Sequence, residues 1–157
     1  PNYGMMFPDA VDITTVNGPV DQQTSVFWFQ ADPAMLAVAA QVAATVVLDS
    51  CTPGGVCLDE QPIVKTGGNG VSGPTFVDNA SYRDYAWATW QTDALDMESA
   101  AVAHVATVNG VPFLVFRSLS DLAGGGPGEN EIGIFFQLAA NNSARLLVAF
   151  LEAWPAK

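Results

Sequence analysis

Two stretches of the chain carry the pattern of buried helices. Residues 34–48 are apolar nearly all round the helical wheel, and Asp32-Pro33 before them combines an N-cap with proline at the first helical position. We expect this helix to be buried or to lie at a subunit contact. The Ala- and Val-rich stretch 97–108 ends at Asn109-Gly110 and predicts a second buried helix with a C-terminal stop.

The clearest strand pattern follows this second helix. Residues 111–116 form a continuous apolar run, typical of a parallel strand that is covered on both faces. A shorter strand is expected at 62–66, before the glycines of 67–70. Two more helices are predicted, one capped by Asp78 or Asn79 and ending near Trp90, and an amphipathic one from about Glu131 to Trp154. This alternation of helices and strands predicts an α/β fold in a single domain.

The beginning of the chain and its cysteines carry weaker signals. The first thirty residues are rich in Pro, Gly, Asp and Asn and predict a loop that ends in the apolar patch 26–29. Cys51 and Cys57 bracket a Pro-Gly-Gly turn that is able to bring the sulfurs together, so a disulfide is expected; two unrelated free thiols are the alternative. Two glycosylation sequons begin at Asn79 and Asn141. A secreted or vacuolar location is favoured, with the cytoplasm as the alternative.

Composition and charge exclude several classes of function. Half of the 157 residues are hydrophobic and 13% are charged, as in a compact domain with one core. Sixteen acidic against five basic residues give a formal net charge of −11, which disfavours binding to nucleic acids and to anionic membrane surfaces. The apolar stretch 33–48 is shorter than the ~20 residues of a membrane span, so none is expected. Two cysteines and the distant His104 predict no zinc site.

Polar residues come directly after the apolar run 111–116, namely Arg117, Ser118, Ser120 and Asp121. In open α/β sheets, ligands bind beyond the carboxyl ends of the strands. These side chains are therefore candidates for a site, and a carboxylic acid placed there is able to deliver a proton. The alternative is that Arg117 and Asp121 only pair with each other at a strand end.

Two segments together resemble the superfamily of purine nucleoside phosphorylases and methylthioadenosine/S-adenosylhomocysteine nucleosidases. They are Asp96-Met-Glu-Ser at a helix start and Arg117-Ser-Leu-Ser-Asp at a strand end. Segments 27–33 and 76–83, the Leu-Ala-Gly-Gly-Gly loop from Leu122 and the cysteine pair resemble the plant branch, which includes bark and vegetative storage proteins. The resemblance covers roughly Phe7 to Trp154. It implies a mixed, largely parallel central sheet flanked by helices, with residues 1–157 forming the C-terminal portion of the family domain and the N-terminal part missing.

The resemblance implies cleavage of the N-glycosidic bond of a purine nucleoside, by water or by phosphate. Asp121 would be the general acid at purine N7, Ser120 would orient its carboxyl group, and Arg117 would lie near the nucleophile. For the substrate, the implied contacts are Glu98 with the ribose hydroxyls, Met97 with the sugar, and Phe76 and the Val77 backbone with the base. Asp96 stands where many bacterial relatives have Glu, and its shorter side chain puts the same contact in doubt. Ile132 and Phe135 are candidates for a pocket around the 5′-substituent.

Each of these roles has a plainer alternative. Glu98 suits a first helical turn for electrostatic reasons alone, and Phe76, Met97 and Phe135 also suit a core. No cofactor is expected, and phosphate enters only as a co-substrate of a phosphorylase. The partners expected are a purine nucleoside and either further copies of the chain or a chain that carries the missing N-terminal part. The alternatives to an enzyme are a storage protein that keeps the fold with little activity and a nucleoside-binding protein.

Overall fold

The structure is a computed structural model that describes residues 6–19, 21–125 and 132–155. Within these ranges the chain forms a mixed α/β fold, as the alternating pattern predicted. Its elements are β1 (Val11–Ile13), β2 (Thr24–Val26), α1 (Pro33–Ala43), β3 (Asn69–Ser72), α2 (Ala80–Trp90), β4 (Thr92–Asp96), α3 (Ser99–Val108) and α4 (Ile132–Ala153).

The described strands form two small sheets. β1 and β2 pair antiparallel, with Val11 opposite Val26, so the prediction of a continuous loop over the first thirty residues is wrong. β3 and β4 pair parallel, with Ser72 opposite Asp96 at their carboxyl ends. The second pair matters for function because it brings these two side chains to one edge. The larger parallel sheet that the resemblance implies stays a prediction.

Two expected strands are not formed. The first is 62–66, where Ile63 is 85% exposed. The strand β3 begins only at Asn69. Just before it, Gly68 has a φ of +97° and its backbone passes close to the Asp93 side chain. The second is 111–116, which forms no strand within the described chain. Among the described residues, its backbone bonds run from Val111 N to Ala106 O and from Asp32 N to Phe113 O. A strand needs a neighbour along its length, and this segment has no neighbouring strand in the described chain.

Helix boundaries follow the capping signals. Asp32 accepts hydrogen bonds from the first turn of α1, and Asn79 does the same for α2, which ends at Trp90 as predicted. α1 stops at Ala43, well before Leu48, where β-branched residues follow in the sequence. α3 begins two residues later than predicted and ends before Gly110, whose φ is +65°. The predicted start of the last helix at Glu131 lies outside the described residues.

α4 closes one side of the molecule. It packs against α1, and its Phe150 is 2% exposed and stacks with Trp154. Among the described helices, α4 alone is long and apolar enough to cross a membrane by length and composition: it has 22 residues, and an 18-residue stretch of it has a mean hydropathy of 1.3. Length and composition alone do not place a helix in a membrane, so the expectation that the chain has no membrane span stays a prediction. α4 carries Asn142 and Arg145 near its middle, and both bind the segment around Asp49.

Candidate active site

Asp96 closes β4 and organises the start of α3. Its Oδ1 accepts hydrogen bonds from the backbone N–H groups of Glu98 (3.1 Å) and Ser99 (2.9 Å), and its side chain is only 8% exposed. Burial alone would raise the pKa of Asp96. Hydrogen bonds from the Ser72 and Ser99 hydroxyls and from the Ser99 backbone, together with the charge of Arg117, outweigh burial and lower that pKa below its ordinary value. The carboxylate is therefore an ionised anchor for the helix start.

Arg117 joins segment 111–116 to this helix start. Its Nε lies 3.1 Å from Asp96 Oδ2 and donates to Ser99 Oγ, also at 3.1 Å, while its Nη2 donates to Glu98 Oε2 at 2.9 Å. The guanidinium is thus held by a buried carboxylate and an exposed one, since the Glu98 side chain is 67% exposed. The result is that Glu98 and Arg117, which lie far apart in the sequence, present their charges together at the carboxyl end of β4.

Asp121 and Ser120 form the second polar group of the site. Ser120 Oγ donates to Asp121 Oδ1 at 2.7 Å. Both residues border a depression of about 240 Å³, whose other lining residues are mostly apolar: Leu58, Pro62, Leu119, Phe135, Leu138 and Ala139, together with Ser118 and Asn142. A neighbouring depression of about 210 Å³ is bordered by Arg117, Phe136 and the same Ser118 and Ser120. Ser118 and Ser120 therefore border both depressions, the one beside Asp121 and the one beside Arg117.

The segment before α2 is fastened to the loop after Asp121. Gly124 N donates to Asp78 Oδ1 at 2.9 Å, and Arg83 Nη1 donates to Ala123 O at 2.8 Å. Gly124 has a φ of +82°, and a Cβ atom there would overlap the backbone of Ala80. Only glycine permits this close approach without strain. These contacts hold the loop that carries Asp121 next to the segment that carries Phe76 and Val77.

The predicted substrate residues are distributed unevenly around this site. Phe76 is 60% exposed and Met97 is 42% exposed, so neither is a core residue of the described chain. Phe135 borders the depression beside Asp121, whereas Ile132 is not among its lining residues. Phe76, Met97 and Glu98 lie outside both depressions, on open surface.

Several residues of the site were not predicted from the sequence to contribute side-chain contacts to it. Ser72 and Ser99 supply hydroxyl groups to the Asp96–Arg117 cluster, and Asp78 and Arg83 connect the two loops. Ser72 had no usable signal, because the strand that it ends is not marked by an apolar run in the sequence. Arg83 had none, since a single arginine on a helix is usually a solvated side chain.

The structure joins Cys51 and Cys57 in a disulfide, which closes a hairpin whose last residue, Leu58, borders the depression beside Asp121. Sequence spacing shows that two cysteines are able to meet, but not that the next residue reaches the site. In the parts of the chain that the structure describes, no three His, Cys, Asp or Glu residues are grouped so as to hold a metal ion.

Comparison with known proteins identifies the family. Residues 5–152 match the model of the Phosphorylase superfamily, so the chain belongs to this superfamily, and the resemblance inferred from the two motifs is confirmed at that level. No solved structure matches the chain.

The curated relatives include nucleosidases. A 5′-methylthioadenosine/S-adenosylhomocysteine nucleosidase of Treponema pallidum is 39% identical over 89 residues, which cover 54% of this chain and 32% of that protein. An aminodeoxyfutalosine nucleosidase of Helicobacter pylori is 33% identical over 95 residues, 60% of this chain and 39% of that protein. An uncharacterized protein of Mycobacterium tuberculosis is 43% identical over 70 residues, 40% of this chain and 89% of that protein. The matched region thus spans between 32% and 39% of the length of the two nucleosidases.

Proposed function

We propose that this chain carries the base- and ribose-binding side of a site that cleaves the N-glycosidic bond of purine nucleosides. Membership of the Phosphorylase superfamily and the nucleosidase relatives support this class of reaction. The reaction requires protonation of the departing purine, support for the sugar hydroxyls, and a nucleophile on the opposite face of the ribose. The chain offers groups for the first two tasks.

The observation that carries the proposal is the hydrogen bond from Ser120 to Asp121 at the rim of the depression. A hydroxyl donor on Oδ1 determines which way the carboxyl group faces. We assign Asp121 as the general acid that delivers a proton to purine N7. As the C–N bond breaks, its electron pair moves into the base, and the proton from Asp121 leaves that base neutral. A positioned acid of this kind typically contributes about 10²–10⁴-fold to the rate.

Glu98 and Arg117 serve the sugar side in this proposal. A carboxylate offers four lone-pair sites, and the bond from Arg117 Nη2 uses one of them, so Glu98 is able to accept hydrogen bonds from the 2′- and 3′-hydroxyls as well. Arg117 holds the Glu98 carboxylate in place and lies where an anionic or polarised nucleophile would be attracted. The positive guanidinium is kept there by Asp96.

The apolar contacts complete the substrate side. Phe76 has an exposed ring that is able to stack on the purine, with the Val77 backbone at the edge of the base, and Met97 offers a soft surface to the sugar. Phe135, with Ile132 one turn earlier on α4, is assigned to the 5′-substituent. Phe135 has support from its place in the depression beside Asp121.

The remaining part of the site is assigned to residues outside this chain. The nucleosidase matches cover 32% and 39% of the relatives, and the apolar segment 111–116 has exposed side chains such as Val111 (54%) and Val115 (40%). We assign this chain to the C-terminal portion of the family domain, so that a further segment or polypeptide pairs with 111–116 and supplies the nucleophile side. The plant storage-protein branch remains the finer family assignment that the motifs favour.

The test is release of free base from adenosine, inosine and methylthioadenosine, with and without phosphate. Native material is used, and its intact mass shows whether a second polypeptide is present. We expect release in phosphate-free buffer, because the relatives are named as nucleosidases. Release that requires phosphate would instead identify a phosphorylase. Nucleoside binding without release would contradict the proposal in favour of a binding protein, and neither binding nor release would favour a storage protein.

A further inference from the structure

A disulfide-closed hairpin, residues 50–58, lies at the rim of the candidate site. Its two arms pair through Thr52 N to Val56 O and Leu58 N to Ser50 O, both at 2.8 Å, and the disulfide joins Cys51 to Cys57 between these two bonds. The cross-link and the two backbone bonds leave the end of the hairpin few ways to shift. Leu58 therefore has a defined position relative to the start of the hairpin.

The start of the hairpin is in turn fastened to α4. The amide of Asn142, a residue only 5% exposed, forms two bonds of 2.9 Å to the backbone of Asp49, one to its N–H and one to its C=O. Arg145 adds a double contact to the Asp49 carboxylate, at 3.0 and 2.6 Å. A buried amide that satisfies both backbone groups of a loop residue is costly to remove. The hairpin is thus anchored to the same helix that supplies Phe135.

This anchoring places apolar groups opposite Asp121. Leu58 and, just beyond the hairpin, Pro62 border the depression together with Phe135, while Ser120 and Asp121 form its polar edge. Leu58 is half-buried, whereas Val56, the other aliphatic residue of the hairpin, is 49% exposed. The one inward-facing apolar side chain of the hairpin therefore lies at the depression that holds the proposed acid.

We propose that the hairpin 50–58 forms a wall of the nucleoside site, with Leu58 as a specificity-determining residue and the Cys51–Cys57 disulfide as the positioning element that holds it there. This inference rests on the proposed function. Leu58 contacts the apolar part of the ligand that lies beside Asp121, and loss of that contact weakens binding in the ground state and in the transition state alike. Such a uniform loss raises KM and leaves kcat unchanged.

The first test compares Leu58→Ala with Val56→Ala, a truncation in the same hairpin that lies outside the depression. We expect Leu58→Ala to raise KM for the nucleoside about tenfold with kcat within about twofold, since covering the exposed part of a leucine side chain with a ligand contributes roughly this much binding free energy. Val56→Ala leaves both constants unchanged, and Leu58→Met restores most of the affinity. Equal KM values for Leu58→Ala and the wild-type protein would overturn the inference.

The second test removes the cross-link. A dithiol reductant donates two electrons and two protons to the disulfide, which becomes two thiols while the reductant forms its own disulfide. We expect reduction to raise the KM of the wild-type protein several-fold, and the variant with Cys51→Ser and Cys57→Ser to show the raised KM with and without reductant. Retention of the wild-type KM by the double variant would overturn the positioning role of the disulfide.

Nucleoside affinity measured by equilibrium dialysis separates this inference from the proposed function. If the wild-type protein releases no base but binds adenosine with an affinity that Leu58→Ala weakens, the proposed reaction is wrong and the hairpin inference stands. If it releases base and Leu58→Ala changes neither KM nor the dissociation constant, the reaction stands and the hairpin inference is wrong. A wild-type protein that neither binds nor cleaves a nucleoside overturns both.

Discussion

The two carboxylate groups of the candidate site, around Asp96 and around Asp121, have opposite surroundings. Asp96 is buried among an arginine, two serine hydroxyls and two backbone N–H groups, all of which favour its ionised form. Asp121 accepts a hydrogen bond from the Ser120 hydroxyl on Oδ1 and borders a depression lined largely by apolar side chains. The surroundings of Asp96 stabilise the fold, whereas the place of Asp121 at the rim of an apolar depression supports its proposed role as the acid. Both residues belong to the two sequence motifs, and the structure shows how different their surroundings are.

The largest expected effect is on the chemistry at Asp121. Asp121→Asn keeps the size of the side chain and its acceptor for Ser120, but the amide cannot donate a proton as an acid does. We expect kcat for base release to fall by about 10²–10⁴-fold, the usual contribution of a general acid. The free energy of unfolding should change by less than about 0.5 kcal/mol.

The matched control for this variant is Asp12→Asn, the same chemical change on an exposed residue of β1. It should leave kcat unchanged. Unaltered turnover in Asp121→Asn would refute the assignment of the acid, and a large loss of stability would show that Asp121 belongs with Asp96 as a structural anchor.

The next effect in size is on stability, at Asp96. Asp96→Asn removes the charge that Arg117 and the start of α3 depend on, and hydrogen bonds to charged groups typically contribute about 1.5–3 kcal/mol. We therefore expect the free energy of unfolding in urea at neutral pH to fall by about 2 kcal/mol. Asp93→Asn, on the same strand, removes an ion pair with Lys65, whose side chain is 60% exposed, and should cost less than about 1 kcal/mol.

The pH dependence of stability gives this prediction a second readout. The pKa of Asp96 is lowered in the folded protein from an ordinary value of 3.8, so its contribution is fully present above that value and is lost as the pH falls through the lower, folded-state pKa. The difference in unfolding free energy between the wild-type protein and Asp96→Asn should therefore be constant near neutral pH and shrink below about pH 4. A difference that does not change with pH would mean that the ionised form of Asp96 is not what stabilises the fold.

The contrast between Asp96 and Asp121 also shows which parts of the fold and the site can be predicted from the sequence. Capping residues such as Asp32 and Asn79 act on neighbouring N–H groups, so they predict helix starts well. Segment 111–116 forms no strand within the described chain. Its apolar side chains predict burial, but a strand also needs a hydrogen-bonded neighbour, which the described chain does not supply. The motifs predicted Asp121 and Glu98 as candidates, but the hairpin that brings Leu58 to Asp121 depends on contacts with α4 across nearly a hundred residues. Contacts between residues so far apart cannot be predicted from a local sequence pattern.

The smallest expected effect falls on Glu98, which lies between the two groups: it shares Arg117 with Asp96, yet its side chain is 67% exposed. Glu98→Gln keeps an acceptor oxygen but removes the charge, and hydrogen bonds to a charged acceptor are roughly twice as strong as those to a neutral one. We expect KM for the nucleoside to rise about fivefold, while the free energy of unfolding changes by less than about 0.5 kcal/mol because the residue is exposed. Glu60→Gln, the same change on an exposed residue, should alter neither quantity. A stability loss as large as that of Asp96→Asn would place Glu98 in the structural cluster. A raised KM with unchanged stability would place it with Asp121, on the side of the site that meets the ligand.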